Sequence, residues 1–222
     1  MKKTIIALLA LAGVASADYT GDFSWTDGSL PTFTFDDTPD LMLIVDSVKV
    51  DGAVSTTPKA NSVYANTLTP STNVGNGGTW SISFAIVNTS TEALTLNGIT
   101  FDAFAYNGGG AAQNEDTYAR DITFALSGDA ETSVVHSFGN SDTVENWDTN
   151  PTLTFDTPVE IAAESQVRFD LTVSKSNSVG CFIGLSGATL VTPAPTPAVP
   201  EPTTATLSLL ALAGLAARRR RK

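Results

Sequence analysis

The 222-residue chain carries 23 acidic and 12 basic residues, a formal net charge of −11, together with a single histidine and a single cysteine. Seven of the basic residues occupy the two extreme ends, so residues 18–199 hold five basic against 22 acidic side chains, a net of −17. Such a surface repels phosphate backbones and excludes nucleic acid as a partner, the lone Cys181 cannot close an internal disulfide, and one His with one Cys cannot supply a Cys₂His₂ or His₃ metal shell.

At the amino end, Lys2 and Lys3 precede an apolar run over residues 4–14, followed by Ala15-Ser16-Ala17. A positive region, a short apolar region and small residues at Ala15 and Ala17 are the pattern of a secretory signal peptide, predicted over residues 1–17 and cut before Asp18. The apolar run is shorter than the ~20 residues a spanning helix needs.

Residues 18–191 are predicted to form one domain. Its acid-rich turns come first: Asp22 and Asp27-Gly28, Asp36-Asp37 and Asp40, then Asp46 and Asp51-Gly52. None fits the D-x-[DN]-x-[DN]-G loop. Asp in a turn usually bonds nearby backbone, although carboxylate oxygens also suit calcium. No cofactor is expected, with a structural calcium ion left open.

Strand patterns follow at 41–50 and at 80–86, where Trp80, Ile82, Phe84 and Ile86 alternate with small residues and Trp80 is assigned to the core. Residues 67–78 and 107–115 look like long polar loops. Two strands at 93–96 and 99–104 flank Asn97-Gly98, which predicts a two-residue hairpin. Further strands are predicted at 121–126, 133–138, 152–155, 167–173 and 181–191, rich in Val, Ile, Thr and Phe. Turn signals stand between them at Ser127-Gly128-Asp129 and Asn150-Pro151. Residues 157–164 could hold one helical turn, and no segment sustains a 3.6-residue period. About nine short strands with this spacing predict an all-β fold, an antiparallel β-sandwich of jelly-roll or immunoglobulin-like topology.

Chemistry is sparse in this domain. His136 lies in a strand pattern with no nucleophile motif beside it. Glycoside hydrolysis needs two carboxylates about 5–9 Å apart, and among 22 acids such a pair arises by chance. The domain is therefore expected not to be an enzyme, with a glycoside hydrolase-like activity as the third reading. The alternative is a carbohydrate-binding module, because sugar rings stack on exposed aromatics beside polar groups. Trp25, Tyr64, Tyr106, Tyr118 and Trp147 fall in loop-like contexts, and Trp147 and Tyr106 are the chosen glycan contacts.

The carboxyl end has three parts. A proline-rich linker spans 192–199, then come Pro200-Glu201-Pro202, then an uncharged stretch at 203–217 running into Arg218, Arg219, Arg220, Arg221 and Lys222. As a helix the stretch would be about 22 Å long at 1.5 Å per residue, short of a roughly 30 Å hydrocarbon layer, so it predicts a transient anchor. The basic cluster should stay cytoplasmic by the positive-inside rule. Pro200, Glu201 and Pro202, the short apolar helix and the terminal cations together resemble the PEP-CTERM sorting signal. The resemblance covers about residues 199–222. It implies recognition and cutting by an exosortase-type membrane peptidase. It further implies export through the inner membrane and delivery to the cell surface or the extracellular, biofilm-forming matrix. Extracellular polysaccharide is then a natural partner.

Overall fold

Alternation of apolar with small or polar side chains gives each strand one face for a core and one for solvent. The computed structural model describes residues 18–25, 28–36, 38–57, 67–106, 120–138, 150–177 and 182–193. Among them lie eleven strands: β1 (Tyr19–Asp22), β2 (Thr32–Thr34), β3 (Leu41–Val50), β4 (Ala53–Val54), β5 (Trp80–Asn88), β6 (Leu94–Tyr106), β7 (Arg120–Gly128), β8 (Thr132–Phe138), β9 (Thr152–Ile161), β10 (Ser165–Asn177) and β11 (Phe182–Val191). A 3₁₀ turn spans Val74–Asn76. One sheet has the order β1-β11-β6-β9, and the other has β2-β3-β5-β10-β7-β8 with β4 paired to β3. All pairs are antiparallel. The chain is an antiparallel β-sandwich, as its sequence predicts.

The pairs β7–β8, β6–β9, β5–β10 and β1–β11 are nested one outside the next. A long hairpin rolled into two sheets has this order, which is the jelly roll. Of the two topologies the sequence leaves open, the nesting selects the jelly roll. Strands β2, β3 and β4 lie in the connection from β1 to β5 and widen the larger sheet beyond β5. Residues Ala17–Pro193 make one compact unit with its own core, the usual requirement for folding alone.

Four phenylalanines join the sheets at mid-core. Phe84 on β5 meets Phe101 on β6 edge-on at 6.1 Å and Phe169 on β10 at 5.6 Å, and Phe169 stacks on Phe155 of β9 at 5.8 Å. Trp80, predicted as core, is buried, paired with Val50 of β3 and Val173 of β10.

The registers place the strand ends at two ends of the sandwich. At one end β1 starts, β11 and β9 finish and β6 starts, because Tyr19 pairs with Leu190, Val191 with Gly98, and Leu94 with Ile161. The short connections 89–93 and 162–164 cross between sheets there. The buried Asn88 ties them together. Its Nδ2 donates to the carbonyls of Glu92 (2.8 Å), Ile161 (3.3 Å) and Ala162 (3.3 Å), while its Oδ1 accepts the Ser90 amide (3.0 Å) and hydroxyl (2.7 Å). Asn88→Ala strands buried carbonyls, so urea denaturation should show a loss of about 1–3 kcal/mol.

Several sequence expectations are corrected. The predicted hairpin at Asn97-Gly98 is not a turn: β6 runs continuously through it, and the register with β9 shifts between Leu96 and Gly98. A Cβ on Gly98 would lie 2.5 Å from the Leu153 carbonyl oxygen, so the glycine serves close backbone approach rather than chain reversal. Residues 157–164 form no helix; Pro158 lies inside β9, and a tight turn with Glu164 at φ +53 follows. Within 67–78, read as a polar loop, Leu68, Thr69, Thr72 and Val74 are buried, and Leu68 bridges to Leu185. By contrast, Asp51-Gly52 does turn the chain between β3 and β4, with φ +48 and +82 as a two-residue hairpin requires.

Candidate functional site

The functional residues that the sequence singles out most sharply are the chain ends. Tyr19 to Asp22 pair in register with Leu190 to Gly187, so the first described strand lies along the last. The Thr192 amide donates to the Asp18 carboxylate at 3.2 Å. Residue 18, where the signal cut is predicted, therefore sits beside the point from which the chain runs on toward Pro200, Glu201 and Pro202. These three, together with Ala15, Ala17, the predicted helix 203–217 and Arg218 to Lys222, lie outside the described residues. Among the described residues no helix is long and apolar enough to cross a membrane.

The opposite end carries the longer connections. Segments 107–119, 139–149 and 178–181 join strand ends there, after Tyr106, Phe138 and Asn177. Trp147, Tyr118 and Cys181 fall within them and lie outside the described residues, as does Tyr64.

Tyr106 departs from its expected role. It closes β6 instead of sitting in a loop, and it is fully buried against Phe104 and Phe182, with ring centroids 5.7 and 5.4 Å away. Burial pushes its hydroxyl well above the ordinary tyrosine range, partly offset by a hydrogen bond with Thr69. A ring with no exposed face cannot stack on a sugar, so Tyr106 is a core residue. Trp25, also read as loop, is buried too. Apolar context, rather than neighbouring turn residues, decides both positions. His136 stands in β8 opposite Ile122, edge-on to Phe138 at 4.8 Å.

Two polar constellations emerge that the sequence did not single out. On the outer face of the larger sheet, a shallow cavity of about 190 Å³ is lined by Asp46, Ser83, Arg168 and Asp170. Arg168 pairs with Asp46, its amide donates to Asp129 at 2.7 Å, and Ser83 donates to Asp170. Both Arg168 and Asp46 are well exposed, and an exposed pair of this kind contributes little to stability.

On the outer face of the smaller sheet, Thr20, Thr189, Thr100 and Thr152 form one cross-strand row. One step along, Asp22 and Asp102 flank Gly187. The half-buried Asp102 accepts a hydrogen bond from Asn150 Nδ2 at 2.5 Å, and burial, then the nearby Asp22 charge, raise its pKa above the usual aspartate value. Among the described residues no group of three or more carboxylate, imidazole or thiol side chains converges to hold a metal ion. The two aspartates could be brought together only by the β1–β11–β6 register, which no local pattern reveals.

Comparison with known proteins bears on the tail. No curated protein matches the chain. The model of the PEP-CTERM protein-sorting motif matches residues 198–222, covering Pro200-Glu201-Pro202, the apolar stretch and the terminal cations. The carboxyl-terminal segment of this chain is a PEP-CTERM protein-sorting motif, which supports an exported protein sorted by exosortase-type machinery.

Proposed function

We propose that the jelly roll is a non-enzymatic domain delivered to the cell surface or extracellular matrix, with the tail anchoring it in the inner membrane until an exosortase-type peptidase cuts near Pro200-Glu201-Pro202. The observation that carries this reading is the sorting motif at residues 198–222. The fold agrees with it. Asp18 and Thr192 are neighbours, so a chain inserted at both ends would hang from one end of the sandwich. The 15 uncharged residues at 203–217 and the five cations after them give a short anchor with a cytoplasmic stop.

Expression in a host that has the sorting machinery tests the proposal. Truncation before Pro200 should release soluble protein, whereas Arg218–Arg221→Ala should leave unprocessed or mislocalised chain. Wild-type and truncated proteins of equal mass and location would defeat it, as would mature protein still ending at Lys222.

One observation favours carbohydrate binding as a second reading. The strand ends at Tyr106 and Phe138, after which Tyr118 and Trp147 follow in sequence, lie at the end of the sandwich opposite Asp18 and Thr192, where a domain tethered beyond Thr192 would meet polysaccharide. Tyr106 drops out of that reading because it is buried. A glycan array on residues 18–199, with and without calcium, should give signal that Trp147→Ala removes. An array without signal would leave the first reading alone.

A further inference from the structure

We propose that Asp22 and Asp102 form a proton-sharing carboxyl pair that fastens β1 to the smaller sheet at acidic pH and loosens it as the pH rises. The geometry starts from the register. Asp22 on β1, Gly187 on β11 and Asp102 on β6 lie in one cross-strand row. Any larger residue at the middle position would stand between the two acids. A Cβ at Gly187 would lie 2.7 Å from Asp102 Oδ2 and 3.3 Å from Asp22 Oδ1, so both carboxylates reach over the glycine. Asn150 engages Asp102 Oδ1, which leaves Oδ2 directed to the pair.

Among the described residues, the strands of this sheet offer the pair no cation. No Lys, Arg or His occurs in β1, β6, β9 or β11. From β11 the neighbours are Gly187 and Ser186, whose hydroxyl donates to the Asp102 carbonyl at 3.2 Å. Asn150 and Thr152 on the β9 side are neutral, as is Thr100 beside Asp102. Two facing carboxylates in such a place do not both ionise freely, and one proton held between them turns repulsion into a carboxyl–carboxylate hydrogen bond. The half-burial of Asp102 works in the same direction.

The sign follows. An acid whose folded pKa is raised adds its stabilisation below its unfolded pKa, and that stabilisation is lost as the pH climbs through the folded value. The lost proton goes to solvent and leaves two charges facing each other across Gly187. The part of the structure affected is β1. It is a four-residue edge strand. Hydrogen bonds beyond its ladder with β11 include Thr189 to Thr20 at 3.3 Å, the Asp36 amide to the Thr20 carbonyl at 2.7 Å and the Phe23 amide to the Ser186 carbonyl at 2.7 Å, and Phe33 of β2 lies against Gly21. Short edge strands open locally at low free energy.

Carboxyl-carbon NMR titration and native-state amide exchange on residues 18–193, in chelator to exclude divalent cations, test the proposal. The Asp102 carboxyl should titrate above the ordinary aspartate value, coupled to the facing Asp22 charge. After correction for intrinsic exchange, protection of β1 amides should fall tenfold or more through that titration while β5 protection stays constant. Asp102→Asn and, separately, Asp22→Asn should abolish both the coupling and the pH dependence. A single ordinary titration of Asp102 would overturn the proposal. So would β1 protection that ignores pH in the native protein or keeps its pH dependence in both variants. The sorting reading is untouched by either result, because the assay uses no tail.

Discussion

Phe84→Ala should destabilise the domain by about 3–5 kcal/mol, read as a lower denaturant midpoint at unchanged slope. Phe84 is fully buried in the middle of β5 and touches rings from both sheets, Phe101 across the sandwich and Phe169 beside it. Truncation removes the ring's transfer free energy and leaves a cavity that neither neighbour can fill. Phe169 is already stacked on Phe155, and the strands are fixed in register on either side. Interiors packed to crystal-like density relax only in part. Val135→Ala provides the contrast. Val135 is 55% exposed on β8, and its truncation should change stability by no more than about 0.5 kcal/mol. Equal effects from the two substitutions would mean that the four-ring cluster does not join the sheets.

The second large effect is expected at Gly128. This residue ends β7 with φ +115, a backbone state that L side chains rarely adopt. A Cβ there would lie 2.4 Å from the Arg168 carbonyl oxygen and 3.2 Å from the Phe169 Cα, both backbone atoms that cannot swing aside. The adjoining Asp129 amide donates to that same carbonyl at 3.0 Å, while its carboxylate accepts the Arg168 amide at 2.7 Å. Gly128→Ala therefore combines torsional strain with a main-chain clash at a doubly bonded turn, and about 2–4 kcal/mol should be lost. Thermal melts of the domain would show it. A change below about 0.5 kcal/mol would mean that the turn moves freely off β10.

These two positions also show what was legible beforehand. Ser127-Gly128-Asp129 announced a turn by residue type alone, and the alternation from Trp80 to Ile86 announced a half-buried strand. Both signals are local, and local signals survive folding. Asn97-Gly98 has an equally good turn composition, yet β6 passes straight through it because β9 lies close against its backbone. Tyr106 and Trp25 looked like loop aromatics and are buried, since polar neighbours in sequence say little about what packs on them in space. The short strands β1, β2 and β4, with four, three and two residues, were invisible to periodicity. They exist because longer strands offer them an edge. The Asp22–Asp102 pair was out of reach for the same reason: 80 positions apart in sequence, it depends on which strand borders which. The sorting tail is the opposite case, a linear signal carried wholly by consecutive residues.

The nesting of the pairs, with β1 against β11 outermost, has a consequence for biogenesis. In a chain threaded through a membrane amino end first, the earliest segment to arrive must wait for the latest before its sheet can close. Pairing across so great a sequence distance is slow. Only a few residues separate Val191 from the sorting motif, so on the proposed tail-anchored route β11 would clear the bilayer just as the apolar tail entered it. That route would bring completion of the roll and arrival at the processing peptidase close together in time.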